Sequence, residues 1–246
     1  MKKPLFAGLA LGVGLWVGLF SPSSFPQSPG PSADRMTATE VIARCAEAMG
    51  GRSRVDGVRS LRVGAVYPDH GDRSLFIEIR RPNMSYSPQA FLVFDGRQAC
   101  LLRGMDMKSK PEMVDPGDLV DFDVEVGYFF PAFFDFPAEY LGADSVDGRV
   151  LHKVRPKLPH GAELVYYLDS GTWLPYKTTV RMTVRGQSLA VERVFSDYRT
   201  VAGIPYPHGF TYPSRDRKSV IQGRVTSVEI NPALDDAHFT IPKINK

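Results

Sequence analysis

The chain has 246 residues, 43% hydrophobic and 23% charged, enough to bury a core and ordinary for a globular protein. Its formal net charge is +3 and no dense Lys/Arg block occurs, which leaves nucleic-acid binding without support. Its two cysteines have no nearby histidines, so a zinc site is excluded, and no cofactor is expected.

Met1-Lys2-Lys3 is a positive start, residues 4–20 are an unbroken apolar run, and residues 21–36 are rich in Ser, Pro and Gly. That order reads as a secretory signal peptide over residues 1–20 followed by a flexible linker. The run also approaches the ~18 residues that span a bilayer, so an uncleaved N-terminal anchor is the other reading. Ser21-Pro22-Ser23 and Pro31-Ser32-Ala33 are both imperfect cleavage sites, and no Cys directly follows the apolar run, so the usual bacterial lipoprotein acylation site is missing. Export is expected, with the folded domain over residues 37–246, either free or tethered by its first helix. In an oxidising compartment Cys45 and Cys100 are a possible disulfide; both also lie in apolar patterns that suit buried free thiols.

Thr37 and Glu40 have capping-box spacing, Val41, Ile42, Cys45 and Met49 mark one face, and Gly50-Gly51 offers a left-handed stop. This predicts an amphipathic helix whose apolar stripe needs a surface to cover. From Ser60 the apolar period becomes two. SLRVGAVYP, SLFIEIRRP, FLVF and ACLLR read as strands, with Asp95-Gly96 a hairpin turn between the last two. After Asp147-Gly148 come RVLHKVRP, AELVYYLD, PYKTTVRMTV, LAVERVF, IPYPHGFTYP, SVIQGRVTSVEI and a terminal HFTIP. Val180, Met182 and Val184 alternate with Arg181, Thr183 and Arg185, one face apolar and the other wet. The expectation is a mainly β (α+β) fold, an antiparallel meander of roughly ten or eleven strands that curls as its twist accumulates.

An irregular insert occupies residues 111–140. Its centre, GYFFPAFFDFP, crowds Tyr128, Phe129, Phe130, Phe133, Phe134 and Phe136 onto a short piece of chain interrupted by Pro131 and Pro137. These rings either fill the hollow of the curled sheet or form a short helical or irregular lid and cavity lining that contacts cargo. Beside them lie Asp115, Asp118, Asp121, Asp123 and Glu125. A calcium loop starting at Asp121 would need Gly and Glu where Val126 and Ala132 stand, so the acidic run reads as a solvated rim. His70, His152, His160, His208 and His238 are scattered, and no nucleophile elbow, phosphate loop or metalloprotease motif is present. No catalytic or metal-binding residue is expected; a lipid hydrolase using His208 or Asp197 is the weakest reading.

The helix ending in Gly-Gly, VFDG, the acidic-aromatic insert, VDGRVLHKV, YYLDSGTWLPYKT, VFSDYRTVAGIPYPHGFTYP and VEINPALDDAHFTIP follow one another in an order that resembles the periplasmic outer-membrane lipoprotein-sorting (LolA/LolB-like) family, in its branch of exported relatives. The resemblance implies an incomplete antiparallel β-barrel covered by helices, with an apolar cavity for acyl chains. It also implies an arginine that holds the lid closed, and Arg62, Arg80 and Arg81 lie in about the right early strands. The function expected is a non-catalytic periplasmic carrier for acyl chains of a lipid or lipoprotein, acting as a transport chaperone. The alternative is an envelope-anchored sensor or scaffold module that binds a membrane protein partner. Cargo contact is expected at the six insert aromatics and at Val180, Met182 and Val184. An acyl chain of ~15 methylenes gains on the order of 12 kcal/mol on leaving water but almost nothing on leaving a bilayer, so a carrier needs only a deformable apolar pocket.

Overall fold

The computed structural model describes residues 36–70, 73–89, 92–101, 111–184, 187–214 and 218–242. The signal peptide or anchor expected over residues 1–20 and nearly all of the linker expected over 21–36 lie outside the described residues. Among those described, no helix is long and apolar enough to cross a membrane.

Helix α1 spans Ala38–Ala48 and opens with the expected capping box. Thr37 Oγ1 accepts from the Glu40 N–H at 3.2 Å, and the Glu40 carboxylate accepts from the Thr37 N–H at 2.7 Å. Val41, Cys45 and Ala46 are buried along its inner stripe. Gly50 then takes φ 95°, and a Cβ there would stand 2.3 Å from the Gly203 carbonyl oxygen, so only glycine lets the helix end against that turn. Helix α2, Arg52–Gly57, follows directly.

Strands β1 (Ser60–Tyr67), β2 (Arg73–Arg80), β3 (Met84–Ser87), β4 (Leu92–Phe94), β5 (Ala99–Leu101) and β6 (Glu112–Met113) precede helix α3 (Val120–Phe129). After it come β7 (Ala138–Val146), β8 (Arg149–Pro156), β9 (Glu163–Asp169), β10 (Pro175–Val184), β11 (Gln187–Val201), β12 (Ile204–Pro213) and β13 (Val220–Ile230). All belong to one antiparallel sheet in the order β6-β5-β4-β3-β2-β1-β13-β12-β11-β10-β9-β8-β7. The first and last parts of the chain meet at the centre, where β1 pairs with β13. The two free edges, β6 and β7, are consecutive in sequence. The insert between them must therefore cross from one edge to the other, and it spans the gap that keeps this sheet an incomplete barrel.

The described residues form thirteen strands where roughly ten or eleven were expected. Strand β3 is four residues with its serines inward, β6 is two exposed residues, and β7 is an edge strand with mixed exposure, so none shows an apolar residue at each inward position. HFTIP forms no strand; Asp236–Phe239 is a 3-10 turn whose preceding Asp235 accepts from the Ala237 N–H at 2.9 Å. That turn covers the convex face, where His238 Nδ1 lies 2.6 Å from the buried Glu78 carboxylate. Arg62 donates to the same Glu78 at 3.0 Å. The inner face holds the core: Leu61, Val63 and Ala65 of β1, Ile77 and Ile79 of β2, Leu164, Tyr166 and Leu168 of β9, Phe195 of β11 and Phe210 of β12 are all buried. Cys45 and Cys100 stand as buried free thiols, with no bridge between them. Burial alone pushes both thiols above their ordinary pKa.

Candidate functional site

The insert begins at a proline-started 3-10 turn, Pro116–Asp118, and rises into α3. Phe130 leaves the helix in extended geometry and Pro131 prevents its continuation, so the chain makes one further 3-10 turn, Ala132–Phe134. Phe129, Phe130, Phe133 and Phe134 are buried in the core, while Tyr128 and Phe136 pack against it half-buried. Phe133 meets Tyr166 edge-on, centroids 4.9 Å apart, and Phe134 at 4.7 Å. Tyr166 anchors the segment with its hydroxyl, which accepts from the Ala132 N–H at 3.0 Å and donates to the Gly127 carbonyl at 2.7 Å. A Cβ at Gly127 would come 2.6 Å from Leu164 and 2.8 Å from the Tyr166 oxygen, so this close seating of α3 on β9 requires glycine.

Because the acidic run passes from a 3-10 turn into helix α3, its members face different ways. Asp115, Asp118 and Asp121 are exposed, as a solvated rim requires. Asp123 is buried, accepting from the His160 N–H at 2.9 Å with His160 Nδ1 at 3.1 Å. Glu125 is half-buried, and burial raises its carboxyl above the ordinary range, opposed by Arg193 and reinforced by Asp121.

The space left beneath the rings, between Met49, Tyr128, Phe130, Tyr166, Phe195 and Tyr206, is about 30 Å³. That is room for about one water, against roughly 300–1,000 Å³ in a site for an organic ligand. The insert's own side chains thus occupy the hollow in this state.

One arginine fastens the plug. Arg81, immediately after β2, grips Asp135 in bidentate fashion, Nε to Oδ2 at 2.9 Å and Nη2 to Oδ1 at 2.7 Å. Its Nη1 donates to the Val55 and Val58 carbonyls at 2.6 and 2.5 Å, and its guanidinium lies 4.4 Å from the Phe130 ring centroid. Three elements, α2, β2 and the aromatic turn, meet on this one side chain. Arg62 instead serves the convex Glu78–Glu229 network, and Arg80 pairs with Asp236 at 2.7 Å.

Helices α1 and α2 close the end of the sheet where β1 begins. At the other end, Tyr67, Leu75, Ser87, Tyr212 and Ile221 line a groove of about 490 Å³ with Arg73 at its rim. Tyr67 stands edge-on to Phe210 at 5.9 Å and to Tyr212 at 6.4 Å. Burial pushes the Tyr67 hydroxyl up to about 12, so it stays neutral at any physiological pH. Val180 is buried in the core on the inward face of β10. The side chains of Met182 and Val184 lie outside the described residues.

Reasoning from sequence missed Arg193, which occupies an inward position of β11. A signal was present: LAVERVF sets Leu189, Val191 and Phe195 at alternate positions, with Arg193 interrupting the series. The Arg193 guanidinium lies 3.8 Å from the Tyr128 ring centroid, 4.9 Å from that of Phe210 and 5.3 Å from that of Tyr212.

The scaffold is thus an open, curled sheet whose gap is bridged by a helical-aromatic lid. Neither protein-family models nor curated protein sequences match the chain. Solved structures match its fold. A LolA superfamily protein of Nitrosomonas europaea superposes with a TM-score of 0.54 at 14% identity, covering 84% of this chain and 98% of that one. A putative outer membrane lipoprotein-sorting protein domain of Vibrio parahaemolyticus gives 0.50 at 11% identity, over 81% and 94%. A DUF1329 family protein of Desulfovibrio piger gives 0.50 at 12% identity, over 82% and 96%. The chain therefore has the LolA-like fold, an identification that rests on architecture alone.

Proposed function

We propose that this is a non-catalytic, exported carrier that shelters an acyl chain of a lipid or lipoprotein on the concave face of its sheet, with the aromatic insert as a displaceable plug. The observation that carries the reading is that the chain bridging the two free edges sets four buried phenylalanines across the concave face, with the Arg81–Asp135 ion pair fastening the aromatic turn. The magnitudes suit exchange. Four rings leaving water gain roughly 8 kcal/mol at about 2 kcal/mol each, and a chain of ~15 methylenes gains on the order of 12 kcal/mol. The guest's gain exceeds the plug's by about 4 kcal/mol, and the Arg81–Asp135 pair, worth about 2 kcal/mol, narrows that margin and biases the empty protein toward closure. No covalent step is needed, and cargo would pass to any acceptor slightly more favourable than the closed protein.

Native mass spectrometry of protein purified from an exporting host tests this. An acyl-bearing adduct is expected; a bare mass in every preparation, with no uptake of added single-chain lipid, would overturn it. A second reading, a sensor or scaffold module with its N-terminal anchor retained, draws support from β7, a nine-residue sheet edge without a partner on one side. A mature N-terminus at Met1 and one stoichiometric membrane partner in a pull-down would favour it.

A further inference from the structure

Among the described residues, four buried side-chain polar atoms have no hydrogen-bond partner. Three lie toward the open end, Nε of Arg193, Oγ1 of Thr178 and Oγ of Ser87; the fourth, Oγ of Ser85, lies toward the closed end, where Ser85 pairs with Ile79 and Ile79 with Leu61. Thr178 is the cross-strand partner of Arg193, and the Tyr212 ring centroid lies 5.3 Å from the Arg193 guanidinium. Thr178 is fully buried and Ser87 is 3% exposed, and Ser87 lines the groove of about 490 Å³. An unpaired guanidinium nitrogen and unpaired hydroxyls inside an apolar hollow are costly unless something there accepts their protons.

Among the described residues, none accepts a hydrogen bond from Arg193 Nε. The three aromatic faces around Arg193 attract its charge but accept no directed hydrogen bond at Nε. Glu125 is the carboxyl whose charge acts on it, and it makes no hydrogen bond to Nε; burial raises this carboxyl above its ordinary range while Arg193 opposes the shift. A clamp on Tyr128 would explain the stacked ring, yet it would leave the orphaned Nε and both hydroxyls without a reason.

We infer that the open end of the hollow receives the anionic group, carboxylate or phosphate, of a single-chain amphiphile, with Arg193 as its counter-charge and the groove between Tyr67, Leu75, Ser87 and Tyr212 as its port. The inference rests on the carrier reading and specifies its cargo. The guanidinium offers the planar fork that binds carboxylate or phosphate oxygens, and Thr178 lies beside it in register to donate a further hydrogen bond. The acyl chain would then run inward beneath the insert, where the phenylalanines now sit. Arg193 would release Tyr128 as it turned to the headgroup, so binding and loosening of the plug would be one event.

Delipidated full-length protein is titrated with oleate, oleoyl lysophosphatidate, monoolein and inorganic phosphate alone, by isothermal calorimetry below the aggregation limit of each lipid. Both anionic lipids are expected to bind about tenfold or more tightly than monoolein. Arg193→Gln should bring that ratio near one while monoolein still binds, and Arg193→Lys, which keeps the charge, should retain the preference. Equal affinity of wild-type protein for the three lipids, or a preference that survives in Arg193→Gln, would overturn the inference and leave the carrier reading standing. Inorganic phosphate binding as tightly as lysophosphatidate would also overturn it, since the chain would then contribute nothing. Failure of all three lipids to bind would bring down the carrier reading itself. Should Arg193→Gln not fold, the wild-type ratio and the Arg193→Lys variant decide the matter.

Discussion

Tyr166 shows how much one side chain can organise here. Its ring fills the core against Phe133, and its hydroxyl satisfies a donor and an acceptor on either side of the bend between α3 and the aromatic turn. Glu125, on the same helix, is placed less comfortably. Burial raises its folded-state pKa above the ordinary 4.5. The stability this group contributes is therefore fully present below the unfolded-state value and is lost as pH rises through the folded-state value. Glu125→Gln cannot ionise, so the variant should gain on wild type as pH rises from 4 to 8 in urea-unfolding midpoints; a gap that stays constant with pH would contradict this placement. Such a residue was only half legible in the sequence. Spacing showed an acidic run, but which carboxylates would face inward depended on a helix that Pro131 and Pro137 seemed to forbid. The prolines stop α3 after Phe129; they do not prevent it.

At the scale of the element, the lid is a helix and a turn held from two sides, by Arg81 at one end and by Arg193 against Tyr128 at the other. Arg81 is only 9% exposed and Asp135 18%, so the pair is well shielded from water. Replacing Arg81 with Met removes the bidentate contact and the ring stack and leaves a partly buried carboxylate behind, a loss of about 2 kcal/mol or more. Amides of residues 126–136 should then exchange roughly thirtyfold faster while those of β9 and β10 change little, as hydrogen-exchange mass spectrometry would read. Uniform acceleration across the sheet would mean that Arg81 supports the whole fold and is no latch. The aromatic cluster was plain from sequence because six rings in so short a stretch are conspicuous. The latch was not. Arg80 and Arg81 are neighbours in a strand end, and only the path of the insert across the concave face separates the one that pairs with Asp135 from the one that pairs with Asp236.

For the whole molecule, the strand order explains the design. A meander that begins and ends at its own centre leaves two edges that are consecutive in the chain, and the segment joining them has to lie across the opening. The alternating apolar pattern, the Asp95-Gly96 and Asp147-Gly148 turns and the capped helix α1 were enough to anticipate the curled antiparallel sheet, because each is a local consequence of backbone geometry. How full the hollow is was not legible, since packing of rings from α3 against residues of β9, β11 and β12 is set by tertiary register and not by spacing. That filling makes the central claim sharp: the plug must leave for a guest to enter. The direct measurement is hydrogen exchange of the insert in protein saturated with oleoyl lysophosphatidate. The account predicts that the amides of residues 126–136, including the Ala132 N–H now held by Tyr166, lose protection on binding while β9 and β10 keep theirs. Lipid bound with the insert as protected as in the empty protein would contradict it.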